Sequence, residues 1–180
     1  MAKHEQVILA GFGGQGVMLM GQMLAYAATN EGLNTVWIPS YGPETRGGTA
    51  NCSVVISEER INSPVVTEPD TVVALNLPSL QKFEPRLKAG GTLIVNDAAI
   101  KDYSYRTDVR VITLDANKEA LNLGNLKVAN MIMLGAYIQA TKVFAKEELV
   151  NVLKKVFSGD KKKLIDVNIK AIETGMKYVD

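Results

Sequence analysis

The chain has 180 residues, 47% hydrophobic and 22% charged, which is enough apolar material for one folded domain over 1–180 and too much for a disordered chain. Twenty basic residues against nineteen acidic leave a formal charge of +1, which argues against a dedicated nucleic-acid binder. One Cys and one His exclude an internal disulfide, and a zinc site or iron–sulfur cluster held by this chain alone.

The start, Met1-Ala2-Lys3-His4-Glu5-Gln6, lacks the charged, apolar and cleavage regions of a signal peptide. A catalytic pair using histidine would depend on His4, expected in a mobile terminus. Val7-Ile8-Leu9-Ala10 reads as a buried parallel strand ending in a glycine cluster. A helix follows over about 16–31, with Val17, Met20, Leu24 and Ala27 at helical spacing and Gly32 as its stop. The second strand is 35–38, and Pro39 is expected to end it. The first forty residues thus form a β-α-β unit.

A loop rich in Gly, Pro and charge occupies 40–49, and 50–57 is a strand. Further strands are predicted over 71–75, 92–95 and 109–114, with a helix over 78–88 that Pro85 kinks or shortens. From about residue 125 no strand is expected. Helices are predicted over 125–141, 146–156 and 161–179, the last with an apolar stripe of Ile165, Ile169, Ile172, Met176 and Val179. The fold class is α/β, a mostly parallel sheet flanked by helices with a helical C-terminal third. The helix over 125–141 is apolar around most of its circumference, and a domain of this size has limited room to bury it. An interface with another chain is therefore the expectation there. The apolar stretch over 131–140 is shorter than the roughly 20 residues that span a bilayer. A soluble, cytoplasmic chain without membrane contact is expected.

Two segments carry chemistry. Gly11-Phe12-Gly13-Gly14-Gln15-Gly16 follows a strand and opens a helix, the context of a dinucleotide fingerprint. Residues without Cβ let the backbone turn sharply and let an anion approach N–H groups at the helix's positive end. Two readings stand for this loop: a tight strand–helix crossing, or contact with an anionic or partner group. An NAD site would need an acid about 20 residues on. None lies between Glu31 and Glu44. There is also no Walker lysine, since Val17-Met18 follow Gly16.

The second segment is Pro39-Ser40-Tyr41-Gly42-Pro43-Glu44-Thr45-Arg46-Gly47-Gly48. It leaves the carboxyl end of the second strand, where open α/β sheets bind ligands. Arg46 either pairs with Glu44 on a solvated loop or takes a carboxylate or phosphate bidentately.

Together the two segments resemble the gamma subunits of the 2-oxoacid:ferredoxin oxidoreductases. The similarity continues through Ala50-Asn51-Cys52-Ser53-Val54-Val55-Ile56-Ser57, Ile61-Asn62-Ser63-Pro64, and Pro69-Asp70 leading to Ala74-Leu75-Asn76. The resemblance implies a Rossmann-like domain working beside alpha, beta and delta subunits, with ferredoxin reached through the complex. The complex is expected to decarboxylate a 2-oxoacid on thiamine diphosphate with magnesium, pass electrons through iron–sulfur clusters and transfer the acyl group to coenzyme A. This chain is expected to help wall the active site and the coenzyme A site, without certain hold on any cofactor alone. The loops look similar to those of 2-oxoglutarate and branched-chain enzymes, and the resemblance favours the 2-oxoglutarate type.

Ligand or partner contact is accordingly expected at Gly11, Gly13, Gly14, Gln15, Gly16, Tyr41, Glu44, Arg46, Gly47 and Asn76, with no catalytic residue and no metal ligand. Asp97 occupies the equivalent place after the strand that follows; it either caps a turn or faces a ligand. Cys52 reads as a small core residue, and Lys161-Lys162-Lys163 as a solvated helix start. The alternatives are a free-standing nucleotide-binding domain, which the missing acid disfavours, and the small subunit of indolepyruvate oxidoreductase, where a different second loop is expected. The sequence leaves open whether the isolated chain forms a homodimer.

Overall fold

The computed structural model of the chain describes residues 3–44, 48–98 and 100–180. Six strands form one sheet in the order β2-β3-β1-β4-β5-β6. They are β1 (His4–Phe12), β2 (Asn34–Tyr41), β3 (Thr49–Ser57), β4 (Thr71–Ala74), β5 (Thr92–Asn96) and β6 (Arg110–Leu114). β1, β4, β5 and β6 pair in parallel. β3 pairs antiparallel with both β1 and β2. Five of the six strands therefore run one way, and only β3 is reversed.

That reversal modifies the expected β-α-β unit. α1 (Val17–Asn30) does carry the chain from β1 to β2, but β3 lies between them. Pro39 does not end β2, which runs on to Tyr41 with Pro39 in register with Cys52. The reason is position: β2 is an edge strand, where a residue without an N–H costs no ladder bond on its open side. His4 is likewise not a loose terminal residue, since it opens β1 opposite Ser57.

Side-chain alternation along β1 sorts the core into two layers. Val7 and Leu9 face α1, the helices of the last third and α3 (Ala116–Asn122). Ile8 and Ala10 face α2 (Leu77–Phe83) and the segment around Tyr103. Pro85 does interrupt the predicted helix: α2 stops at Phe83 and a single 3-10 turn, Glu84–Arg86, follows. A buried Glu84 carboxylate accepts from the Tyr103 hydroxyl at 2.5 Å and the Arg106 N–H at 2.8 Å, pinning the segment around Tyr103 to that turn.

The last third contains α4 (Ala129–Thr141), α5 (Lys146–Val156) and α6 (Ile165–Met176). α4 is buried from Asn130 to Ile138 by the chain itself. The partner interface expected there is therefore not where this helix is used. α6 runs antiparallel along it, Gly135 meeting Ile172 and Gly175 meeting Ile132. α4 begins at the carboxyl edge of the sheet, beside Gly16, and ends near Glu5 at the opposite edge.

Candidate functional site

A cleft of about 360 Å³ opens at the carboxyl edge of the parallel strands. Gly14 and Gln15 after β1, Leu75 after β4, and Asn96 at the end of β5 form its floor. Asn117 of α3, Leu126 and Lys127, and Ala129, Asn130 and Met133 of α4 complete it. The chain leaves β1 toward one side of the sheet and enters β4 on the other, so the cleft sits at the point where strand order diverges.

The glycine loop is held by three kinds of contact. The Gly13 N–H donates to Gly48 O at 2.8 Å, tying the two sequence motifs together. The Gln15 N–H donates to Phe12 O at 3.1 Å. The Gln15 side chain folds back, and its Oε1 accepts from the Phe12 N–H at 2.6 Å and from Asn76 Nδ2 at 3.0 Å. Gly11 makes this possible, because a Cβ there would lie 2.7 Å from Gln15 Oε1. Gly14 and Gly16 have φ of 93° and 78°, left-handed values that favour glycine. A Cβ on Gly16 would collide with the Asn130 amide, which instead donates to Gly16 O at 3.3 Å.

Among the described residues, the backbone N–H groups of Gly14 and Gly16 have no hydrogen-bond partner. α1 has no side-chain cap either, so its first-turn N–H groups remain available at the helix's positive end. Of the described residues lining the cleft, none is acidic and Lys127 is the one charged side chain. The arrangement suits phosphate, carboxylate or carbonyl oxygens, set against the apolar surfaces of Leu75, Leu126, Ala129 and Met133.

The expected residues divide into four groups. Gly14 and Gln15 line the cleft; Gly11, Gly13 and Gly16 shape its loop. Asn76 is not in the lining: it caps α2 through the Ser79 N–H at 2.9 Å and clasps Gln15. Tyr41 ends β2 at 69% exposure, outside the cleft. Glu44 folds over the β2–β3 connection, where a Cβ on Gly42 or Gly48 would come within 2.7 Å of its Oε2. Arg46 and Gly47 lie outside the described residues.

Four amide and cationic residues escaped sequence reasoning. Asn96 is buried; it donates to Leu75 O at 3.4 Å and Asn117 Oδ1 at 3.2 Å, and accepts from the Ala116 N–H at 3.1 Å. Asn117, Lys127 and Asn130 join it only through the fold. Asn96 closes a strand and Asn130 lies in the first turn of a helix, which is the one signal each carried. Asp97 does not line the cleft; burial and the Asp115 charge raise its pKa.

Other titratable groups lie away from the cleft. Cys52 is fully buried, its thiol directed at Val17 O at 3.6 Å, and burial pushes its pKa up to about 11, an inert core thiol. No three His, Cys, Asp or Glu residues among those described come together as a metal site. No described helix is long and apolar enough to cross a membrane.

Comparison with known proteins gives this geometry a context. The family model described as "Pyruvate ferredoxin/flavodoxin oxidoreductase" matches residues 6–178. Ketoisovalerate oxidoreductase subunit VorA of Methanothermobacter marburgensis is 44% identical over 177 residues, 98% of this chain but 37% of that one. This chain thus spans little more than a third of that relative. The 2-oxoglutarate synthase subunit KorC of the same organism is 38% identical, with 98% and 97% of the two chains covered. Among solved structures, the gamma subunit of a keto/oxoacid ferredoxin oxidoreductase from Geobacter sulfurreducens superposes with a TM-score of 0.82 at 28% identity, over 97% of each chain.

Proposed function

Because the chain belongs to the pyruvate ferredoxin/flavodoxin oxidoreductase family, we propose that it acts as the gamma subunit of a 2-oxoacid:ferredoxin oxidoreductase of the 2-oxoglutarate type. The observation that carries this reading is the cleft: a donor-rich pocket with neither a carboxylate nor a nucleophile–base pair among its described lining residues. Such a pocket contributes binding and orientation and leaves the bond-making to other chains.

Thiamine diphosphate would supply the decarboxylation chemistry and coenzyme A the accepting thiol. The residues present fit the second of these and not the first. Gly14, Gly16, Gln15 and Lys127 offer donors for phosphate or carbonyl oxygens, whereas a magnesium-bound diphosphate needs carboxylate or amide oxygens that the cleft does not free. Gly14, Gly16 and Gln15 would hold an anionic group of coenzyme A against α1, and Leu126 and Met133 would exclude water from its less polar part. The β2–β3 connection, fixed to the glycine loop through Gly13 and Gly48, would face alpha and beta partner chains, with ferredoxin reduced elsewhere in the complex. The work is cytoplasmic on this reading.

Correspondence with KorC along the whole of both chains supports the 2-oxoglutarate type. A ketoisovalerate type is the second reading, favoured by the higher identity to VorA. The test is reconstitution with the partner chains. Coenzyme A-dependent reduction of ferredoxin is expected to require this chain, with 2-oxoglutarate preferred over 2-oxoisovalerate. Activity that is unchanged when this chain is omitted overturns the subunit reading, and a preference for 2-oxoisovalerate overturns the subtype.

A further inference from the structure

We infer that Gln15 is a binding residue whose side-chain amide both closes the glycine loop and presents its NH2 group as a donor to the anionic co-substrate. The inference rests on the reading of the cleft as part of the coenzyme A site. The Phe12 N–H, 2.6 Å away, can only donate, so the amide atom it meets is the oxygen. Asn76 Nδ2, at 3.0 Å, donates to the same oxygen. Both lone pairs of that oxygen are thereby engaged, and the amide plane is fixed from two sides.

The consequence falls on the other end of the amide. Nε2 has no partner among the described residues, and Gln15 lines the cleft. It therefore supplies two N–H donors next to the partnerless N–H groups of Gly14 and Gly16. Asn76 is itself held, because its Oδ1 caps α2 through Ser79. The donor's direction is thus fixed by β4 and α2 as well as by its own loop. An amide so restrained loses little freedom on binding, which is where preorganisation gains affinity.

The proposal separates from a purely structural role by substitution in the assembled complex. Gln15→Glu keeps an oxygen for Phe12 and Asn76 but turns an anionic acceptor toward the cleft. The expected result is a KM for coenzyme A raised about tenfold or more, with the KM for the 2-oxoacid and kcat at saturating coenzyme A nearly unchanged. Asn76→Asp keeps the cap on α2 and removes the donor to Gln15. It is expected to give a smaller rise in the same KM. Amide exchange at Phe12 should stay protected in Gln15→Glu and become fast in Gln15→Ala.

Lys127→Glu provides the control for the underlying reading. If it raises the coenzyme A KM and Gln15→Glu does not, the cleft binds the co-substrate and the assignment to Gln15 is wrong. If neither variant moves that KM, the reading of the cleft falls and this inference with it. Loss of thermal stability in Gln15→Glu with an unchanged KM means that the residue only closes the loop.

Discussion

Gly16 shows how closely the loop is fitted to its surroundings. Its φ of 78° and the adjacent Asn130 amide leave no room for a methyl group. Gly16→Ala is expected to lower unfolding stability by about 2 kcal/mol, half from the backbone and half from displacing Asn130. Urea denaturation of the two proteins checks it. A second residue-scale prediction concerns pH. Burial pushes the Glu5 carboxyl up to about 7 from 4.5; hydrogen bonds from Thr71 and Tyr137 oppose this, and Asp70 adds to it. The folded state therefore holds a proton that the unfolded chain has released between those values. Stability attributable to this group is intact below about 4.5 and is lost as pH rises toward about 7. Glu5→Gln should be more stable than the parent at pH 8 by on the order of 2 kcal/mol, a gap that closes at low pH. Equal urea midpoints for both proteins at pH 8 would contradict this. At this scale the sequence carried part of the site. Gly14 and Gln15 could be read because a strand, glycines and a helix adjoin within one segment. Asn96, Asn117, Lys127 and Asn130 could not, because they come from separate segments that only the sheet order brings together.

Among the elements, α4 is the one whose surroundings the sequence left undecided. Its all-round apolar surface was compatible with a core or a partner. The structure settles it because α6 packs antiparallel on it at glycine contacts, with α1, α3 and β5 on its other sides. Backbone-to-backbone contact at Gly135 and Gly175 lets α4 sit that deep. Gly175→Ala would press a methyl group into the Ile132 carbonyl, so a loss of about 3 kcal/mol is expected, visible as a lowered thermal midpoint. Unchanged melting would mean that the two helices separate freely. Strands and long helices were legible to within a few residues, since their apolar periodicities are local. α3 was not, because seven residues are two turns and too short to show a period, although Asp115 capping Lys118 marked its start. The continuation of β2 through Pro39 was also hidden, because edge position is a property of the sheet and not of the strand.

For the whole molecule, the strand directions create the edge that carries the cleft. Five strands ending on one side leave β1, β4 and β5 with their carboxyl ends together, and α1, α3 and α4 begin there. The reversed β3 was invisible to hydrophobic pattern, which reports burial and is blind to direction. Its effect is to return the chain from the edge strand to β1, so that the connection ending in Gly48 bonds to the glycine loop. The scarcity of Cys and His fits the proposed role, in which the chain would contribute backbone donors, Gln15 and shape to a larger assembly. The most direct measurement is hydrogen exchange by mass spectrometry on the reconstituted complex, with and without coenzyme A. Slowed exchange is expected in 12–19 and 126–133 when coenzyme A is added, with little change around Glu5 and Asp70 at the opposite edge. Exchange in both cleft segments that is indifferent to coenzyme A would contradict it.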